Sequence, residues 1–388
     1  MTWPRISPLV VLTALMTGCA SNVEVVRVKR VIGIVNASNR GVTTLLDASL
    51  PPPGFSCRSM LPISVLVPTR NSMSLLPKHL EVMRSWLELA EEVVAVDSHS
   101  NDGTLEFLQR ELKHPNVRVL THPPGLYQSW NFGVAQCCAK FIYISTVGEE
   151  ITRAGLTELH AVAEQFAADV VISPPRMVDM EGRPKEKEWP VHTLLEKIAV
   201  SEPVAIEGIA AQLFAVTFVQ RGILGSSASN LYRTAALQRF PFRTDFGTAG
   251  DLAWGLEHAG QMRLAVIPQN FSTFVFHPKS YAKSDYAVSG FAEKCIEASV
   301  QVVAARPWVK EGVETAEGEA LLNELLAAWR EFVAAKRVLD ARKAKGPDFF
   351  LLPGAWRARS EREEKLRLLL AVQERALDCV ARLLIHRG

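Results

Sequence analysis

The chain has 388 residues, enough for about two or three domains and for a well-buried core. Apolar residues make up 48% and charged residues 22%, an ordinary globular balance, and a net charge of +2 excludes a general attraction to nucleic acid or anionic lipid. Basic and aromatic residues do not interleave along a long basic run, so no nucleic-acid partner is expected.

The six cysteines (Cys19, Cys57, Cys137, Cys138, Cys295 and Cys379) are scattered and lack zinc-site spacing, which points to reduced thiols in a cytosolic compartment. Residues 1–59 read as a leader and linker. A short apolar run, Pro8 to Met16, precedes Thr17-Gly18-Cys19-Ala20-Ser21, a pattern similar to a bacterial lipoprotein signal with Cys19 as the lipidated residue. That run falls short of the ~20 apolar residues that a transmembrane helix needs. A start at Met60, immediately before the first regular strand, is the alternative. Residues 22–59, with Pro51-Pro52-Pro53-Gly54, suit a linker or a short strand pair.

Residues 60–285 alternate strand and helix. Ile63 to Val67 is a β-branched run ended by Pro68, and Leu75 to Ala90 has apolar residues at helical spacing. Strands follow at Glu92–Asp97, Val117–Leu120, Phe141–Ile144 and Asp169–Ser173, and helices at Thr104–Leu112, Ser129–Ala139 and Thr152–Phe166. Short connections between them predict an α/β fold, a single Rossmann-like mainly parallel sheet flanked by helices, with ligands bound beyond the carboxyl ends of the strands. Residues 286–388 form a helical C-terminal region, with stretches near 286–306, 314–344 and 360–386. There Leu321, Leu322, Leu325, Leu326, Trp329, Phe332 and Val333 recur at helical spacing. Such stripes pack on each other or on the α/β region, meet a second copy, or lie on a membrane surface.

The polar motifs all leave strands at one end. Val65-Leu66-Val67-Pro68-Thr69-Arg70-Asn71, then Val96-Asp97-Ser98-His99-Ser100-Asn101-Asp102-Gly103-Thr104, then Gly125 with Ser129-Trp130-Asn131-Phe132-Gly133 together resemble the family 2 glycosyltransferases. The resemblance covers residues 62–280 and implies a GT-A fold and a nucleotide-sugar donor. It implies that Pro68, Thr69, Arg70, Asn71, Asp97, Ser98 and Asp102 line the nucleotide pocket, with Asp97 on the base or ribose. Asn131 either lies near the donor or caps and packs its helix.

The family's metal-holding Asp-x-Asp is absent. Thr146 and Gly148 stand at its acidic positions, and Glu149 follows. Three outcomes stay open: Mg²⁺ or Mn²⁺ held by Glu149 and His277, metal-free transfer with Arg153 or Lys279 facing the leaving diphosphate, or loss of activity. Downstream, Gly225 to Arg233 is similar to the family's small-residue segment, and Gly250-Asp251 stands where relatives carry Glu-Asp. The resemblance makes Asp251, at a helix start, the catalytic base, with Asp245 as the fallback. The reading is an inverting transfer of a sugar to a hydroxyl acceptor, for a bacterial cell-surface polysaccharide or lipid-linked glycan, in the cytoplasm at the inner face of the membrane. The alternative is a catalytically inactive nucleotide-binding module. The sequence contains no Gly-x-Ser-x-Gly elbow, Walker loop or dinucleotide loop.

Overall fold

In the computed structural model the described residues are 60–186, 189–276, 291–307, 313–343 and 353–385. The chain starts with β1 (Leu61–Thr69), α1 (Leu76–Arg84), β2 (Ala90–Asp97), α2 (Thr104–Glu111), β3 (Val117–Thr121), α3 (Leu126–Gln136) and β4 (Phe141–Ile144). It continues through β5 (Glu150–Ile151), α4 (Arg153–Gln165), β6 (Val170–Ile172), β7 (Arg176–Val178), α5 (Pro190–Ile198), β8 (Val204–Ile206) and α6 (Gly208–Thr217). Then come β9 (Leu231–Arg233), α7 (Thr234–Arg239), α8 (Gly250–His258), β10 (Leu264–Val266) and β11 (Ser272–Val275). Three longer helices follow: α9 (Phe291–Ala304), α10 (Val313–Lys343) and α11 (Pro353–Ile385).

The main sheet has eight strands in the order β3-β2-β1-β4-β9-β6-β10-β8. Strands β3, β2, β1 and β4 pair in parallel, as do β6 and β10. By contrast, β9 runs antiparallel to both β4 and β6, and β8 antiparallel to β10. Both faces of the sheet are buried, as βαβ crossovers require. Leu66, Val94, Val96, Ile142 and Ile144 point into one apolar layer. Their sequence neighbours Val65, Val67, Val93, Ala95, Phe141 and Tyr143 point into the other, following the two-residue period of a strand. Helix α3 rides close on the first layer at Gly133, where an added Cβ would stand 2.3 Å from Leu66 Cδ1.

The C-terminal stripe Leu321, Leu322, Leu325, Leu326, Trp329, Phe332 and Val333 joins the same apolar layer as Leu213 and Phe214 of α6. The appendage thus packs on the α/β region. Several boundaries differ from the sequence expectation. Helix α1 ends at Arg84 and a 3₁₀ turn covers Leu87–Leu89, α3 begins at Leu126, and α11 begins at Pro353. A small second sheet of three strands, β5-β11-β7, accompanies the central one. Its strands span two to four residues, too short for a period to register. Helix α6 also carries no sequence signal, because every residue from Ile209 to Thr217 is buried and no polar face alternates with the apolar one.

Candidate active site

Parallel pairing places Thr69, the last residue of β1, opposite Asp97, the last residue of β2. The two loops that leave these strands are bound together by side chains. Asp97 Oδ1 accepts from Thr69 Oγ1 at 3.2 Å and Ser100 Oγ at 2.5 Å, and Oδ2 accepts from Ser100 N–H at 2.8 Å. Asn71 N–H donates to Ser100 Oγ at 2.8 Å, and Asn101 N–H donates back to Asn71 Oδ1 at 3.0 Å. Asp102 accepts from Met73 N–H at 3.0 Å and from Thr104 N–H at 3.1 Å. Asn71 and His99 take up positive φ, the left-handed turn conformation that lets the two loops face each other.

Asp97 is fully buried within this frame and ties the two loops together. Ser98 is also buried, and Pro68 and Arg70 are partly buried beside the frame. Asn71 and Asp102 are exposed at its rim. Asn131 Nδ2 donates to Phe242 C=O at 2.8 Å, and Phe242 N–H donates to its Oδ1 at 2.9 Å. Both amide atoms are thus used in packing.

Strand β9 enters the sheet antiparallel to β4, which puts the loop that enters β9 at the same edge as the loop that leaves β4. Ser226 Oγ in the first loop therefore donates to Glu149 Oε2 in the second. The small residues around Ser226 are held from below. Tyr143 Oη donates to Ala228 C=O at 2.9 Å, and the buried Asn230 donates to Leu224 C=O at 2.8 Å. Burial pushes the Glu149 carboxyl up to about 7, with Ser226 opposing the rise and the charge of Asp251 adding to it.

Asp251 occupies the first turn of α8 and lines a cavity of about 130 Å³ with Arg221, Gly222, Gly225, Leu252 and Gly255. Leu252 N–H donates to its Oδ1 at 2.8 Å. Burial raises its pKa above the ordinary carboxylate value, while a hydrogen bond from Tyr127 works in the opposite direction. Tyr127, at the start of α3, stacks on Phe242 with ring centroids 5.4 Å apart, and so joins the β3–α3 connection to the segment before α8. Gly250 fits here because its space is taken. An added Cβ would meet Arg243 C=O at 2.3 Å and the Tyr127 ring at 2.5 Å, which leaves no room for the family's Glu.

Residues 64–219 match the family model described as glycosyl transferase family 2. This segment is a family 2 glycosyltransferase domain. A crystal structure of S. aureus TarS 1-349 in complex with UDP-GlcNAc is similar at a TM-score of 0.54 and 16% identity, over 80% of this chain and 90% of that one. The mannosyltransferase PcManGT from Pyrobaculum calidifontis, in complex with GDP-Man and Mn2+, gives a TM-score of 0.48 at 19% identity, over 83% and 86% of the two chains. The likeness to TarS shows a shared GT-A fold. No curated protein sequence matches the chain.

Within this glycosyltransferase fold the other expected residues fall differently. Asp245, the fallback base, is clamped by Arg243, whose guanidinium holds the carboxyl below its ordinary value and makes it a weaker base. Arg153 pairs with Glu88 at 2.8 Å and donates to Ser85 C=O at 3.2 Å. His277 and Lys279 lie outside the described residues. Among the described residues no three His, Cys, Asp or Glu side chains converge to hold a metal. Glu149 is the described carboxylate of the expected metal pair, and an ion such as Mg²⁺ is held by one or two carboxylates together with the donor's phosphates.

Three contributors carry weaker sequence signals. Tyr127 carries no signal in the sequence, and Ser226 is marked only as part of the small-residue segment until the tertiary fold brings it to Glu149. His79 lies on the buried face of α1 with Leu76, Leu80 and Met83, and its Nε2 is 3.0 Å from Ser145 Oγ at the end of β4. Burial lowers its pKa to about 4, so it stays neutral near pH 7. A histidine in step with an apolar helical stripe was its one visible mark.

Proposed function

We propose that this glycosyltransferase moves a sugar from a nucleotide-sugar donor to a hydroxyl acceptor with inversion, and that Asp251 is the base. The observation that carries this reading is the position of Asp251: in the first turn of α8, on a cavity, with Glu149 near enough to feel its charge. In a single displacement the Asp251 carboxylate takes the acceptor hydroxyl proton as that oxygen attacks the anomeric carbon. The bond from that carbon to the diphosphate oxygen breaks, its electron pair leaves with the nucleoside diphosphate, and the anomeric configuration inverts. General-base help of this kind is worth about 10²–10⁴-fold in rate.

The bound loops 69–73 and 97–104 form the nucleotide end of the site in this reading, with Asp97 and Asp102 keeping its shape. The acceptor approaches from the other side of Gly225, which lies against Pro175 and the Trp189 ring. Those two residues line an open groove of about 490 Å³ with Arg176, Lys185 and His192. A cell-surface glycan as acceptor, and a cytoplasmic reaction at the inner membrane face, follow from the family resemblance and from where nucleotide sugars are made. Thr146 and Gly148 in place of the acidic pair favour a second reading, a nucleotide-binding module without turnover.

Calorimetric titration with UDP, GDP and dTDP, each with and without Mn²⁺, paired with a donor-turnover assay, separates the two. Binding of one nucleotide with sugar transfer that Asp251→Asn abolishes supports the transferase. Binding without transfer or donor hydrolysis supports the module, and failure of all three nucleotides overturns both.

A further inference from the structure

Helix α8 carries Asp251 in its first turn, and α9, the first of the three C-terminal helices, holds α8 at two places. Cys295 and Ser299 stand one helical turn apart on the same face of α9, and both are fully buried. The Cys295 thiol donates to Ala249 C=O at 3.3 Å, two residues before Asp251. Burial pushes this thiol up to about 12, so near pH 7 it keeps the proton that it donates. Ser299 Oγ donates to Glu257 Oε1 at 2.9 Å, near the other end of α8. Phe246, Ala249, Ala253 and Cys295 fill the space between with a small apolar cluster.

Glu257 is buried and serves a second segment as well. The same Oε1 accepts from Arg243 Nη1 at 3.1 Å. Arg243 Nε donates in turn to Asp245 Oδ1 at 2.9 Å, and its guanidinium lies over the Phe246 ring, 4.6 Å from the centroid. The Arg243 side chain is therefore fixed on three sides. Its main chain is the surface on which Gly250 packs, since an added Cβ there would meet Arg243 C=O at 2.3 Å. Fixing the side chain thus fixes the support under the residue that precedes Asp251. A buried ion pair adds little net stability, because both charges lose water to form it. What remains is the geometry that the pair imposes.

We propose that Glu257 and Ser299 are positioning residues for sugar transfer: through Arg243 and α9 they hold the start of α8 so that the Asp251 carboxylate meets the acceptor hydroxyl. The role presupposes Asp251 as the base. Neither residue lines the cavity on which Asp251 lies, so each acts through α8 and not on the substrate. A base works only within hydrogen-bond reach of the proton it takes, and a misplacement of about 1 Å costs up to about 10²-fold in rate. Helix α9 is in this way part of the catalytic unit, because the serine that completes the linkage comes from it.

The test is a double-mutant cycle on the full chain, read as release of nucleoside diphosphate from UDP-glucose, GDP-mannose and dTDP-glucose, with nucleotide binding followed by calorimetry. Glu257→Gln, and separately Ser299→Ala, each lower kcat about tenfold while donor KM and nucleotide binding stay within about twofold. In an Asp251→Asn background each costs less than about twofold, because no base remains to be placed. Ser299→Ala leaves the Arg243–Glu257 pair in place, and so reads the role without breaking a buried ion pair. Unchanged kcat in both variants overturns the positioning role and leaves the base as it was. Losses that multiply with that of Asp251→Asn do the same, since they belong to a structural role alone. Near-wild-type turnover in Asp251→Asn overturns the base and the positioning role together, as does a wild type that turns over none of the three donors.

Discussion

Replacing Glu149 by Gln removes a carboxyl that burial pushes up to about 7 from its ordinary 4.5, and keeps an oxygen to accept from Ser226 Oγ. The sign follows from proton counting. Below about pH 4.5 the carboxyl is protonated in both the folded and the unfolded chain, and it contributes nothing. Between 4.5 and about 7 the unfolded chain releases its proton while the folded chain holds on, so wild-type stability falls as pH rises. Above about 7 both states are ionised and the full cost, about 3 kcal/mol, is present. Glu149→Gln has no such cost. The two proteins therefore have similar stability in mild acid, and the variant is more stable by about 3 kcal/mol above neutrality, a large share of a typical folding free energy. Urea denaturation of both full chains across this pH range measures the difference, and all other titrating groups cancel in it. A difference that stays constant with pH would refute the placement of this carboxyl in a desolvated site. Repeating the pair in an Asp251→Asn background removes a neighbouring charge and should shrink the gap.

The remaining predictions concern the base and its surroundings. Asp251→Asn should lower kcat by about 10²–10⁴-fold while nucleotide binding by calorimetry stays within about twofold, and near-wild-type turnover would exclude Asp251 as the base. Tyr127→Phe removes a hydrogen bond that lowers the Asp251 pKa, so the acid limb of the kcat profile should move to higher pH. A limb that moves to lower pH, or does not move, counts against the Tyr127–Asp251 contact. Gly250→Ala forces a Cβ to within 2.3 Å of Arg243 C=O and should destabilise the chain by roughly 1–3 kcal/mol, read by thermal unfolding. Asp97→Ala strands the Ser100 N–H and removes an acceptor from Ser100 Oγ and Thr69 Oγ1. It should cost roughly 1–3 kcal/mol and weaken nucleotide binding through the loops. Loss of binding with unchanged stability would point to direct ligand contact by Asp97.

The order of the main-sheet strands and the helices up to α4 was readable because β1, β2 and β4 are buried apolar runs ended near Pro, Asp or Ser, and each helix keeps an apolar stripe beside a polar face. The C-terminal stripe was equally plain, as Leu321 to Val333 hold a helical period. Where period fails, reading fails: α6 is apolar on every side, and the strands of the small sheet are too short to alternate.

The sequence by itself determined the fold class, the edge of the sheet where polar motifs gather, and the position of Asp251 at a helix start, because these depend on local pattern and on strand direction. Tertiary structure decided what each polar residue does. Strand register turned Asp97 inward to Thr69 and Ser100, a contact 111 residues away in sequence tied Asn131 to Phe242, and the antiparallel entry of β9 brought Ser226 to Glu149. The common physical reason is that a side chain's partners, and the water it loses to them, come from segments distant in the chain, and only the folded chain brings those segments together.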